Sequence, residues 1–404
     1  MSGLMPYPRF SLAERDRRWS AVRSHMRAQN IDVIVLPNNT GHSADLQSNS
    51  RYLSHVGGGG DADICVIFPL EGEITAIATS AAPRWPMVQE WTKDIREARR
   101  RFGRAAVARL KELKVEKGRI GIAGLGEGTR TPEGTVPLSL WNHIRENFPD
   151  AEIVDATAIM RDVRYIKSAE EIEALTKSIE IVEHGVAAEV AAAKAGASDW
   201  QVWATAIGAM LYHGSEMPVH CNWISGKNPV RTMTRPCFRT LERGDLIINE
   251  LEASWIGYRA QAVQPVFVEV IDPVHVELFK IQYELFNEML PHMRPGVTVR
   301  ELSERTEAVS NRAIPKHGPF ANAKTRLTMH GRGAGDDGPI ITDHARDPHQ
   351  LAVALQENMV FILKPSARTH DESSICTWGD TIVITPQGAR RLGKRAHALA
   401  VSSP

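Results

Sequence analysis

The sequence predicts a two-domain chain: an α/β N-terminal domain over residues 1–160, then a second domain of helices and strands over 161–404. Three observations predict this. The 404 residues exceed what one ordinary core organises, at roughly 100 to 200 residues per domain. Up to Asp155, helical patterns alternate with short branched apolar runs, as in an α/β layer structure. Beyond it, an amphipathic stretch of about 25 residues opens a new set of helices around a long hairpin pattern.

Ser11, with Glu14 three residues on, reads as a capping box starting the helix "SLAERDRRWSAVRSHMRAQ". "IDVIVLP" follows as a buried strand, then "DICVIFP" and "EITAIATS" as strands, "RRFGRAAVARLKELK" as a helix and "RIGIAGL" as a strand. "VGGGG" at 56–60 has neither a following basic residue nor G-x-G-x-x-G spacing, so it reads as a turn rather than a phosphate loop. Ser168 and Glu171 repeat the capping box at the head of the second domain. "WQVWATAIGAMLYHG" is then a helix, and "GDLIINELEASWIGYRAQAVQPVFVEV" a β-hairpin turning at "WIGY". "PVHVELFKIQYELFNEMLPHM" and "TVRELSERTEAVSNRAIPKHG" are further helices, and "NMVFILKPSA" and "GDTIVITPQGARRL" closing strands. No repeat period is visible, which argues against a solenoid.

Lys plus Arg equals Asp plus Glu, at 48 each, so no excess positive charge attracts a phosphate backbone and nucleic acid is not expected as a partner. Cys65, Cys221, Cys237 and Cys376 lie far apart without zinc or disulfide spacing and read as free thiols. The N-terminus lacks the apolar core of a signal peptide, and no apolar run reaches ~18 residues. A soluble, cytoplasmic protein without a membrane partner is expected.

The order of elements and the strings "RYIKSAEEIEAL", "SGKNPV", "RGDLI", "GY", "HGRG", "NMVF" and "GDTIVIT" resemble the pita-bread family of creatinase, prolidase, Xaa-Pro aminopeptidases and methionine aminopeptidase. The resemblance covers essentially the whole chain. It implies an α/β N-terminal domain followed by an α+β pita-bread C-terminal domain, and a homodimer acting on a small-molecule substrate. In such a dimer the N-terminal segment 48–63 would lie near the neighbouring subunit's site.

The family's metallopeptidases hold two ions with five carboxylate or imidazole ligands, a hard set suited to activating water. The matching positions here carry Glu250, Gln261, His330, Lys364 and Gly379. An ammonium at Lys364 would repel a metal ion, Gln261 offers a neutral oxygen and Gly379 nothing. The expectation is therefore no metal and no cofactor.

Lys227 stands where creatinase carries its general-base histidine, before Asn-Pro-Val. His330 is the other candidate for proton transfer, because imidazole as a group titrates near neutral pH. Gly331, Gly333 and Gly335 are expected to let its loop approach a ligand with φ > 0. Glu250 and Glu252 should share a strand face, with Asn249 turned away, so that the carboxylates share a proton or pair with Lys364. Asp337 falls where relatives carry a second histidine near substrate, and Asp336 beside it reads as a turn residue. Arg332, Arg259, Arg231 and Arg235 are candidate carboxylate clamps, and Trp223, Trp255 and Trp378 candidate walls. The expected catalytic set is His330, Lys227, Glu250 and Lys364, with Arg332, Asp337, Gln261, Glu252, Trp255 and Arg259 binding substrate.

The leading expectation is metal-independent hydrolysis of a C–N bond in an amide, guanidino or betaine-like molecule. The alternatives are a lyase working by β-elimination, similar to the DMSP lyases, a non-catalytic binding protein, and a metallopeptidase of Xaa-Pro type.

Overall fold

Val33–Leu36 (β1) alternates its side chains to two apolar layers, and the N-terminal unit grows from that alternation. The computed structural model describes residues 4–38, 48–57, 63–80, 82–128, 131–218, 220–233, 235–342 and 348–404. They divide into two compact units, Met1–Tyr165 with Ala334–Asp337, and Ile166–Gly333 with Gly338–Pro404. The expected boundary at 160 thus falls inside a helix, Thr157–Tyr165.

In the first unit β1 is joined by β2 (Ile64–Pro69), β3 (Thr75–Ala78), β4 (Asp94–Glu97), β5 (Arg119–Ile122) and β6 (Glu152–Asp155) in the order β4-β3-β2-β1-β5-β6. Ile34 and Leu36 face helices α1 (Leu12–Ala28), α2 (Ser48–Ser54) and α5 (Thr157–Tyr165). Val33 and Val35 face α3 (Phe102–Glu112) and α4 (Leu138–Asn147). Ser11 caps α1 as expected, accepting from the Glu14 amide at 3.1 Å. The Glu14 carboxylate meets Arg18 at 2.7 Å, and that guanidinium lies 4.3–5.1 Å from the rings of Phe10, Tyr52 and Trp91. Gly58 to Gly60 of "VGGGG", and 61–62 of the 48–63 segment, lie outside the described residues.

The second unit opens with α6 (Ala169–Ala192), whose Ser168–Glu171 capping box forms in full, and α7 (Asp199–Tyr212). β7 (Asn222–Gly226), β8 (Leu246–Trp255) and β9 (Tyr258–Ala262) follow, with β8 and β9 a hairpin. Its two-residue turn, Ile256–Gly257, has φ of 54° and 78°, the positive pair that a type I′ turn requires. β10 (Val266–Phe267) pairs with β8, α8 (Pro273–Met289) packs against α9 (Val299–Ala313), and Thr298 supplies another capping box.

β11 (Lys324–Arg326), β12 (Thr328–Gly331), β13 (Ile340–Thr342), α10 (Pro348–Leu351), β14 (Val360–Leu363), β15 (Ser366–Arg368), β16 (Ile375–Thr377), β17 (Asp380–Thr385), β18 (Gly388–Arg391) and β19 (Ala400–Val401) complete the unit. They form the sheets β13-β12-β14-β17-β18 and β11-β15-β16, and β19 joins β10. "NMVFILKPSA" is therefore two strands, broken at Pro365, rather than one. Among the described residues no helix is long and apolar enough to cross a membrane.

Candidate functional site

Two strand faces of the second unit meet across their charged side chains. On β8 and β9 the pleat puts Glu250, Glu252, Arg259 and Gln261 on one face, because Glu252 pairs directly with Gln261 and alternate residues follow. Asn249 points the other way, as expected, with its Nδ2 2.7 and 2.9 Å from the Glu189 oxygens. On β12 and β14, His330 is registered with Ile362. Lys364, two residues further, continues the ladder through its amide to the Thr328 carbonyl at 2.9 Å, so His330, Arg332 and Lys364 share a face.

Two ion pairs join these faces. Lys364 Nζ lies 2.8 Å from Glu250 Oε1, and Arg332 donates to Glu252 Oε2 with both side chains about 1% exposed. Arg259 stands 3.6 Å from Glu252 Oε1. By register, His330 lies between the two pairs, 5% exposed. The carboxylates thus each hold a separate cation instead of sharing a proton. Arg332, expected as a substrate clamp, spends its guanidinium on Glu252.

Gln261 is fully buried, and among the described residues neither end of its amide has a hydrogen-bond partner. The backbone at 261 is fixed by Thr381, which accepts from its amide at 3.0 Å and donates to its carbonyl at 2.9 Å.

His220, which the sequence reading missed, completes the open end of the site. Its Nε2 lies 2.8 Å from Glu250 Oε2, and Asn222 Nδ2 donates to that oxygen at 3.1 Å. Burial alone would push the Glu250 carboxyl up, but the Lys364 charge and the His220 hydrogen bond outweigh it and hold the group well below the usual carboxylate range. No family string contains His220. Its signal was only its position two residues before Asn222, which pairs with Glu250 in the sheet.

Lys227 is not brought to this group. β7 pairs Asn222 with Glu250 but Gly226 with Leu246, so Lys227 leaves from the far end. There it is exposed, 2.7 Å from the Arg243 carbonyl and 3.5 Å from Asp245. Arg231 and Arg235 are exposed as well. Trp223 and Trp378 are core residues, bonded to Asp199 at 2.7 Å and Gln264 at 3.1 Å, while Trp255 closes the hairpin opposite Tyr258.

Asp337 belongs to the first unit, where it is buried against Arg164 and also accepts from the Gly335 amide at 3.1 Å; Asp336 is buried beside it. The expected positive φ is absent at Gly331, Gly333 and Gly335 and falls instead at Gly338, at 67°. Gly331 serves close approach: a Cβ there would stand 2.0 Å from the Gly338 carbonyl oxygen.

The residues do not fit the metal centre that the resemblance implies. A cation already occupies Glu250, and a Cβ at Gly379 would stand 2.7 Å from Lys364 Cβ, leaving no room for a longer side chain. Among the described residues, no group of three or more His, Cys, Asp or Glu converges on a point where an ion could sit.

Comparison with known proteins agrees with this architecture. Residues 173–386 match the model of metallopeptidase family M24, and 18–166 that of the creatinase/prolidase N-terminal domain. An Xaa-Pro dipeptidase of Pyrococcus furiosus is 25% identical over 268 residues, 66% of this chain and 74% of that protein. A creatinase of a Bacillus species is 23% identical over 412 aligned positions, 98% and 90% of the two. The solved X-Pro aminopeptidase of Thermotoga maritima superposes with a TM-score of 0.75 at 21% identity, covering 95% of this chain and 99% of that one. With a matched catalytic domain of more than half its length behind a creatinase-type N-terminal domain, the chain belongs to metallopeptidase family M24.

Proposed function

We propose that this M24 hydrolase cleaves a C–N bond in a small polar molecule, an amide, guanidino or betaine-like compound, with side chains rather than a metal centre. The observation that carries the reading is Lys364 Nζ at 2.8 Å from Glu250 Oε1. A tethered cation there supplies positive charge without an ion, and it can stabilise negative charge developing on a substrate oxygen. His330, between the two ion pairs, is the buried imidazole of the site. The lengthwise likeness to a creatinase supports C–N chemistry on a small molecule.

A metallopeptidase reading draws on the likeness to an Xaa-Pro dipeptidase. One experiment separates the readings. The chain is stripped exhaustively with chelator and offered amide, guanidino and betaine compounds in heavy-oxygen water. Turnover with label in the product is expected. Activity returning only with manganese or zinc would favour the metallopeptidase, and unlabelled product an elimination.

A further inference from the structure

We propose that His220 is the general base of this site, oriented through Nε2 by Glu250 and presenting Nδ1 to the attacking water. The proposal rests on the reading of the chain as a metal-free hydrolase. Its geometry is independent of that reading.

An ionised carboxylate only accepts hydrogen bonds, so in the neutral ring the 2.8 Å contact with Glu250 Oε2 puts the proton on Nε2, and Asn222 Nδ2, 3.2 Å from Nε2, gives its hydrogen to Glu250 instead. The neutral ring then carries its lone pair on Nδ1, which no described residue bonds. Asn222, 3.1 Å from the same oxygen, fixes the carboxylate on one side, and Lys364, 2.8 Å from Oε1, fixes it on the other. The imidazole therefore has a set tautomer and a set orientation, the two properties a base needs before its strength matters. Access distinguishes it from the other candidate. The His220 side chain is 32% exposed, so water reaches it, whereas His330 is 5% exposed.

The step balances. Nδ1 takes one proton from water as the water oxygen bonds to the carbonyl or amidinium carbon. For a carbonyl substrate, Lys364 faces the oxygen that gains negative charge. The C–N bond then breaks, and the proton on Nδ1 passes to the departing nitrogen, returning the ring to its starting state. Glu250 stays ionised and hydrogen-bonded throughout.

The test uses the full chain, stripped with chelator, and p-nitrophenyl acetate, whose general-base hydrolysis draws on the same deprotonation of water. Wild type is expected to release p-nitrophenolate above the buffer rate. H220Q keeps an N–H for Glu250 but has no basic nitrogen, and should lose about 100-fold, the lower end for a positioned base. H184Q, at an exposed histidine stacked 3.6 Å from His213, should leave the rate unchanged. Folded H220A should recover activity with added imidazole, beyond the rate at which imidazole cleaves the ester without protein.

H220Q as fast as wild type, wild type no faster than buffer both with and without added manganese, or folded H220A that imidazole does not rescue would overturn the assignment. Dependence on added manganese would instead sink only the metal-free reading, because the H220Q ratio measured with manganese still decides the base.

Discussion

Arg332 and Glu252 are each about 1% exposed, so this ion pair exchanges two hydration shells for one contact and a second cation, Arg259, at 3.6 Å. Such a pair contributes little net stability, yet removing one partner leaves a buried charge uncompensated. R332M should therefore lose at most about 3–5 kcal/mol in urea unfolding, because Arg259 still faces Glu252, while R332M/R259M/E252L, which removes all three charges, should regain most of it. A triple variant as unstable as the single one would show that Glu252 has another role. Glu189 gives the complementary case. Burial pushes its carboxyl up to about 8, although Asn249 and Arg395 pull it down. The folded state thus holds a proton that the unfolded chain releases near 4.5. Its contribution is complete below that pH and is lost as pH rises through about 8, by at most about 1.4 kcal/mol per pH unit. E189Q should flatten the stability profile across that window in thermal unfolding.

At the scale of elements, Gly379 and Lys364 depend on one another. β17 begins beside Lys364, and a Cβ at Gly379 would meet both Lys364 Cβ at 2.7 Å and the Leu363 carbonyl oxygen at 2.9 Å. G379A should cost about 1–3 kcal/mol through overpacking, read as a lowered urea midpoint with unchanged slope. Much of this organisation was legible in the sequence, because it is written in local signals. Ser168 with Glu171 fixed the start of α6, and Ile256–Gly257 marked the hairpin. The face shared by Glu250 and Glu252 followed from the two-residue period of a strand. What was not legible depends on sheet register. Lys227 and His220 lie seven residues apart on the segment carrying β7, and only the pairing of Asn222 with Glu250 shows which end reaches the site. Asp337 and Arg164, 173 residues apart, carry no mutual signal in a single sequence.

For the whole molecule, composition and length indicated two domains without showing where the glycine loop would go. Its middle, Ala334–Asp337, clusters with the N-terminal unit, while His330 and Arg332 stay with the catalytic sheets. The fold is that of M24. By the resemblance, the five positions that would bind metal carry Glu250, Gln261, His330, Lys364 and Gly379. The central claim is that Lys364 stands in for a metal ion. Calorimetric titration of the chelator-stripped chain with manganese tests it most directly. The account predicts no stoichiometric site of micromolar affinity. One or two equivalents bound at micromolar affinity or tighter, and lost in E250Q, would contradict it.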